Sequence, residues 1–215
     1  MTNPQAVHGR PFDAVLCDLD GVIRFYDMTE LTRMERVAGL AEGTTAKIAL
    51  APENDLPVLR GEQTVEQWGE VIAAALADHV PMEQARELAV MFTRTPFRAD
   101  ENVVEMLRLA QAHVPVVLVT NATPDVEDDL ALLGLAYFAD EVVNSARVGV
   151  VKPDAGIYEI AAERAGVPMD RCLFIDDRAE NVEAAVALGM TGVLYGGITD
   201  LESALAPLLD MATPY

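Results

Sequence analysis

Five short runs of mostly apolar residues divide the sequence and predict the strands of a sheet. The runs occupy residues 14–17, 114–119, 141–144, 172–175 and 191–195, and each has the length of a buried strand. From residue 100 onward they alternate with segments whose apolar residues recur at three- and four-residue spacing, which is typical of helices. Apolar strands joined by helices predict an α/β fold: a Rossmann-like, mainly parallel sheet with helices on both faces.

The first strand is followed by a long segment with a different pattern. Residues 24–95 show helical spacing and no convincing strand, with a loop predicted at residues 52–61. Thr64 to Gln67 resembles a capping box at the start of one helix. We therefore predict an all-helical cap at residues 24–95, inserted into a core formed by residues 1–23 and 96–215.

Composition restricts the function classes. The chain has 215 residues, 51% of them hydrophobic, and carries a formal net charge of -20 from 35 acidic and 15 basic residues. Such a charge disfavours nucleic acid and anionic membranes as partners. Residues 1–10 lack the apolar core of a signal peptide, and the chain lacks a membrane-length apolar stretch, so we expect a cytoplasmic protein. Cys17 and Cys172 lie in apolar runs, which favours two buried, reduced thiols over a disulfide.

Polar side chains follow several of the predicted strands at the point where each strand ends. Because ligands of open α/β sheets bind beyond the carboxyl ends of the strands, these residues are expected to form one site. Singly, each has a simpler explanation: Thr120 could cap a helix, and Lys152 could be a solvated surface residue. Their joint occurrence favours a site formed by Asp18, Asp20, Thr120, Asn121, Lys152, Asp176 and Asp177.

The acids in this group predict a metal ion. Like charges about 4 Å apart repel by roughly 4 kcal/mol at an effective dielectric constant near 20. A hard divalent ion such as Mg²⁺, which prefers oxygen ligands, removes that repulsion. The alternative for Asp18 and Asp20 is an ordinary Asp-rich turn, and this stretch alone does not decide between the two.

Taken together, the motifs resemble those of the haloacid dehalogenase-like (HAD) hydrolase superfamily. The resemblance covers the whole chain, and it includes a helical segment where that family carries a cap. Four motifs occur in the family's order: Asp18-Leu19-Asp20-Gly21-Val22, then Thr120, then Lys152-Pro153, then Asp176-Asp177.

The resemblance implies a role for each catalytic residue. Asp18 would be the nucleophile that forms an aspartyl-phosphate, and Asp20 would be the general acid and then the general base. Thr120 and the main-chain N–H of Asn121 would bind phosphoryl oxygens, and Lys152 would offset negative charge.

The resemblance also implies a Mg²⁺ site. Its ligands would be Asp18, the main-chain carbonyl of Asp20, and Asp177, with Asp176 as a further ligand or as the support of a metal-bound water. Many relatives have Gly and a second Asp where this chain has Asp176 and Asn181. Which of the two adjacent acids binds the metal directly is therefore open.

The implied function is a Mg²⁺-dependent phosphatase that acts on a small phosphorylated metabolite, as a monomer or homodimer. A phosphomutase of the β-phosphoglucomutase type is an alternative. A metal-independent 2-haloacid dehalogenase is disfavoured because that branch lacks the acid at the position of Asp20, and a non-catalytic binding protein is disfavoured by the complete set of site residues. Candidate substrate contacts in the cap are Arg24, Phe25, Tyr26, Arg60 and Trp68, although Trp68 also fits the apolar core of the cap.

Overall fold

The structure, a computed structural model, describes residues 9–209. The outermost residues of the predicted core, 1–8 and 210–215, lie outside this range, as does most of the N-terminal stretch in which no signal peptide is expected. The strands are β1 Ala14–Cys17, β2 Arg24–Tyr26, β3 Phe97–Ala99, β4 Val116–Thr120, β5 Glu141–Asn144, β6 Cys172–Asp176 and β7 Thr191–Leu194. The helices are α1 Thr29–Val37, α2 Thr44–Ala49, α3 Pro52–Leu59, α4 Val65–Leu76, α5 Met82–Thr93, α6 Glu101–Gln111, α7 Val126–Leu132, α8 Ser145–Val148, α9 Ala155–Ala165, α10 Ala179–Ala187 and α11 Ile198–Leu209.

The predicted α/β fold is confirmed. All five predicted strands are present and form one parallel sheet in the order β5-β4-β1-β6-β7. Side chains alternate between its two faces: Val15 and Cys17 join one buried apolar cluster, and Ala14 and Leu16 join the other. The fold is thus a Rossmann-like sheet covered on both faces, with β1 at its centre.

Helices α1 to α5 follow one another between β2 and β3, and we call residues 29–93 the helical insert. The insert has its own apolar cluster, in which Trp68 packs edge-to-face on Phe92 at a centroid distance of 5.6 Å. The predicted capping box is present, since Thr64 and Gln67 bond each other's main-chain N–H groups. None of the helices within residues 9–209 combines the length and apolar character needed to cross a membrane.

Two details of the insert differ from prediction. The loop predicted at residues 52–61 is wrong, because residues 52–59 form α3 with Pro52 in its first turn, a position where the missing N–H of proline costs nothing. The prediction of no strand between residues 24 and 95 is wrong at Arg24–Tyr26. That strand pairs antiparallel with β3, and the alternation that marks a strand is too short to detect in a ribbon of three residues.

The two cysteines are buried and free, as predicted. Burial raises the pKa of both thiols, which keeps them protonated and unreactive near neutral pH. They act as small apolar groups in the strands β1 and β6.

Candidate active site

The carboxyl ends of β1, β4 and β6 lie side by side and bring most of the predicted site residues together. Cys17 pairs with Leu118 of β4 and Ile175 of β6, so the residues that follow these positions emerge at one edge. The main-chain N–H of Asp18 donates to the carbonyl of Ile175 at 2.9 Å, which extends the ladder to the site itself. Sheet register therefore places Asp18, Thr120 and Asp176 next to one another.

Lys152 joins two of these acids inside the protein. Its Nζ lies 2.7 Å from Asp18 Oδ1 and 2.7 Å from Asp176 Oδ2, and all three residues are buried. Burial alone would lower the pKa of Lys152, but the two carboxylates raise it, so the ammonium stays charged. Lys152 is therefore not the solvated surface residue that the sequence left as the alternative.

The carboxyl group of Asp18 is buried beside charged groups, and this environment changes its pKa. Burial raises its pKa to about 7, against the opposing effect of Lys152 and with the addition of repulsion from Asp176. Its Oδ1 also accepts a hydrogen bond from the Leu19 N–H at 2.7 Å. These bonds give the carboxylate a fixed orientation at the end of β1.

Asp176 is held by a set of donors that surrounds both of its oxygens. Oδ1 accepts from the main-chain N–H of Arg178 at 2.9 Å and from Asn181 Nδ2 at 3.0 Å. Oδ2 accepts from Lys152 Nζ and, at 3.1 Å, from Asn181 Nδ2. The neighbouring Asp177 is exposed, although partial burial and the charge of Asp176 raise its pKa.

Three of the acids are close enough to share a cation. Asp18, Asp176 and Asp177 each place one carboxylate oxygen within 4.8 Å of the others. The turn after β1 lies against this cluster: Gly21 has φ of +81°, and a Cβ at this position would overlap the Asp177 carboxylate. Glycine is required here both by backbone conformation and by the lack of space.

Thr120 is the last residue of β4 and Asn121 follows it, and their side chains differ in their hydrogen bonding. The Thr120 hydroxyl is fully buried and has no hydrogen-bond partner among residues 9–209, which is unusual for a buried polar atom and leaves it available to a ligand. Asn121 instead uses its side chain to hold the segment after α8. Its Oδ1 accepts from the Lys152 N–H at 2.8 Å, and its Nδ2 donates to the Lys152 carbonyl at 3.0 Å.

Asp20 lies apart from the other acids, in contact with Arg24. Arg24 Nε and Nη2 donate to the two Asp20 oxygens at 2.5 and 2.8 Å, and Nη1 donates to Asp129 of α7 at 2.6 Å. The guanidinium also lies 5.1 Å from the Tyr26 ring centroid and 5.4 Å from that of Phe97. Burial alone would lower the pKa of Arg24, but its bonds to Asp20 raise it, so this arginine stays charged.

Sequence reasoning missed Asp129, and it did not assign Arg24 or Asn181 the roles that they have in the structure. Arg24 is predicted as a candidate substrate contact; it lines the cleft, but its side chain is 3% exposed and binds Asp20. The spacing of Arg24 four residues after Asp20 is a usable signal. Asp129 gives none, because it comes from a helix 105 positions away.

A cleft of about 790 Å³ separates the sheet edge from the helical insert. Asp20, Asn121 and Arg178 line it from the core, and Trp68 and Phe92 line it from the insert. Among the candidate cap contacts, Arg24, Tyr26 and Trp68 line the cleft, whereas Phe25 and Arg60 are not part of its wall.

Comparison with known proteins places this geometry in context. A phosphatase of Mycobacterium tuberculosis is 38% identical over 93 residues, which are 40% of this chain and 42% of that protein. An (S)-2-haloacid dehalogenase of Pseudomonas fluorescens is 29% identical over 83 residues, 38% of this chain and 37% of that protein. The chain thus spans less than half the length of either relative.

A solved structure with the same fold is a HAD family enzyme of Bacteroides thetaiotaomicron, in complex with magnesium and inorganic phosphate. It superposes with a TM-score of 0.64 at 17% identity, over 84% of this chain and 92% of that one. The family model of haloacid dehalogenase-like hydrolases matches residues 12–189. The chain is therefore an enzyme that belongs to the haloacid dehalogenase-like hydrolase family.

Proposed function

We propose that this enzyme is a Mg²⁺-dependent phosphatase that hydrolyses a small organic phosphate monoester through an aspartyl-phosphate on Asp18. The observation that carries the proposal is the ion-paired cluster in which Lys152 lies 2.7 Å from both Asp18 and Asp176. One lysine between two buried carboxylates fixes the nucleophile and supplies positive charge where a phosphoryl group would enter.

The carboxylates fit a hard divalent cation. Asp18 and Asp177 would hold Mg²⁺ together with the main-chain carbonyl of Asp20, because both Asp176 oxygens already accept hydrogen bonds from protein donors. Asp176 would then stabilise the site without binding the metal directly, through its hydrogen bonds with Lys152 and Asn181. When bound, Mg²⁺ would neutralise charge on the carboxylates and on the phosphoryl oxygens.

Each protein group then has a task in the reaction. Asp18 attacks phosphorus, and the Thr120 hydroxyl, which lacks an acceptor within residues 9–209, donates to a phosphoryl oxygen. Asp20 protonates the leaving oxygen and afterwards takes a proton from the water that hydrolyses the aspartyl-phosphate. In the structure Asp20 is 35% exposed at its side chain and bonded to Arg24, so it faces the cleft from which substrate would come.

Relatives with different reactions make the alternatives explicit. The Mycobacterium relative is a phosphatase and the Pseudomonas relative a dehalogenase, so similarity alone does not choose between them. Asp20 favours phosphate chemistry, since attack on carbon with loss of halide needs no general acid at this position. The Bacteroides enzyme, which shares the fold, supports a site that accommodates magnesium and phosphate. A phosphomutase would use the same residues and would release little free phosphate.

The test is phosphate release from an aryl phosphate, with Mg²⁺ and with EDTA. We expect release that requires Mg²⁺ and that falls by at least about a thousandfold in Asp18→Asn, because the amide is a poor nucleophile. Asp13→Asn, which changes an acid away from the cleft, is the matched control. Full activity of Asp18→Asn, or equal rates with EDTA, would contradict the proposal.

A further inference from the structure

We propose that the substrate is the phosphate monoester of a hydrocarbon alcohol, an alkyl or isoprenyl chain, whose apolar part lies in the cleft. This inference rests on the proposed phosphatase function and names the alcohol that leaves. It is drawn from the polarity and charge of the side chains that line the cleft.

The insert side of the cleft is mainly apolar. Its wall comes from helices α2, α3, α4 and α5 and from Met28, which precedes α1, so no single loop determines its character. The apolar side chains on this side are Met28, Leu50, Leu59, Val65, Trp68 and Phe92. The polar lining residues within the insert are Asp55 and Thr93. These two offer few hydrogen-bond partners to the several hydroxyls of a sugar phosphate, which would lose hydrogen bonds to water against the apolar side chains.

The core also contributes apolar side chains to the cleft. Ala122 lies two residues after β4, and Leu132 and Leu133 lie at the end of α7. Leu132 is 80% exposed and Leu50, across the cleft, is 57% exposed. Two large apolar side chains that face solvent inside a cleft offer surface for a hydrocarbon chain to cover.

The charges in the cleft disfavour a second anionic group on the substrate. Four acids line it, and of its three arginines Arg24 and Arg178 are ion-paired with acids. Arg94 is the remaining one, and it is exposed. A carboxylate or second phosphate would therefore meet Asp55, Asp125 or Asp129 with little positive charge to offset the repulsion.

The size of the cleft fits a ligand with a long apolar part. A volume of about 790 Å³ is within the range of pockets that enclose most of a drug-sized molecule. The cleft meets the proposed catalytic residues at Asp20 and Asn121, which line it and follow β1 and β4. The apolar side chains of the insert, among them Trp68, line the same cleft and would contact the apolar part of the substrate.

The experiment measures kcat/KM for phosphate release along a series of n-alkyl phosphates from ethyl to decyl, with geranyl and farnesyl phosphate as the isoprenyl arm. We expect kcat/KM to rise roughly two- to fourfold for each added methylene until the cleft is filled. Glucose 6-phosphate and glycerol phosphate serve as polar comparisons. Equal or higher kcat/KM for these two would overturn the inference while the phosphatase function stands, whereas no release from any ester would overturn both.

Two variants of the insert test whether the cleft is the binding site. Leu50→Gln and Ala46→Phe, which make its wall polar and fill it, should each lower the ratio of kcat/KM for decyl to ethyl phosphate at least tenfold. Leu109→Gln is the matched control, since Leu109 is 50% exposed on α6, away from the cleft. An unchanged ratio in both folded variants would place the alkyl chain elsewhere and contradict the inference.

Discussion

The buried acid and lysine cluster at the sheet edge and the helical insert differ in how their side chains are held. At the sheet edge, Asp18, Lys152, Asp176 and Asn181 form a buried network in which each charged group has at least one partner. In the helical insert, the wall is built from apolar side chains that pack without directional bonds. One region depends on the positions of single atoms, and the other depends on shape and area.

This difference teaches where substitution is tolerated. Removing one member of a buried ionic network leaves the others unpaired, and the cost is large. Exchanging one apolar side chain for another in a wall costs little if volume is conserved. The network is therefore suited to a constant reaction, and the wall is suited to a substrate that differs among related enzymes.

The largest effect is expected from breaking the network at its centre. Lys152→Met should lower the free energy of unfolding by about 3–5 kcal/mol, because Asp18 and Asp176 are left buried and repelling each other. Phosphate release should also fall to background. Denaturant unfolding and the aryl phosphate assay measure the two effects. Lys47→Met, on the exposed face of α2, is the control. An equal loss of stability in the two variants would show that Lys152 does not stabilise the fold through its ion pairs.

A smaller effect is expected where the network gives way to the cleft. Arg24→Lys keeps the charge but cannot donate to both Asp20 oxygens and to Asp129 at once. We expect kcat to fall roughly tenfold with little change in KM, since Asp20 loses its orientation while substrate contacts remain. Arg98→Lys, on the paired strand β3 but exposed, is the control. A change confined to KM would instead make Arg24 a substrate contact.

The turn after β1 allows conformational strain to be separated from crowding. Gly21→Ala and Gly39→Ala both place alanine at positive φ, which costs about 1–2 kcal/mol. Only at Gly21 would the new Cβ overlap Asp177, because nothing lies within 4 Å at Gly39. Both variants should lose similar stability from strain, but Gly21→Ala should also require roughly tenfold more Mg²⁺ for half-maximal phosphate release. An equal Mg²⁺ requirement in the two variants would argue against Asp177 as a ligand.

The smallest effect is expected at a titratable group in the wall of the insert. Burial raises the pKa of Asp55 to about 6, opposed by Arg178. The folded protein therefore retains this proton up to a higher pH than the unfolded chain, so its contribution to stability falls as the pH rises from about 4 through about 6. Asp55→Asn removes that penalty.

The variant should melt about 2–4 °C above the parent near pH 7.5, and the two should melt together near pH 4. Thermal unfolding at both pH values tests this. Glu62→Gln, an exposed acid in the same insert, should show no such pH-dependent gain. A gain for Asp55→Asn that is equal at both pH values would point to a cause other than the titration.

The sheet and its edge were predictable from sequence because both depend on local pattern. Apolar runs of four to six residues identify buried strands, and the parallel arrangement brings Asp18, Thr120 and Asp176 to one edge. The rest depends on contacts between distant segments. Neither the bond from Arg24 to Asp129 nor the donation of Asn181 to Asp176 leaves a periodic signal.

The helical insert was only partly predictable from the sequence. Its helices were predictable from spacing and from the capping box at Thr64, but α3 was not, because its two prolines and its weak apolar pattern resemble a loop. The volume and walls of the cleft depend on how the insert packs against the sheet edge. No sequence pattern specifies that packing.

The ribbon formed by β2 and β3 has a consequence for protein engineering. Arg24 pairs with Ala99 and Tyr26 with Phe97, so the chain enters and leaves the helical insert at adjacent positions. The segment between Tyr26 and Phe97 can be lengthened, shortened or exchanged for another folded segment without changing the distance between its two ends. A chimera joined at Tyr26 and Phe97 would thus keep the register of the β2–β3 ribbon and would receive a new wall for the cleft. This ribbon is therefore the place at which a different substrate specificity can be introduced.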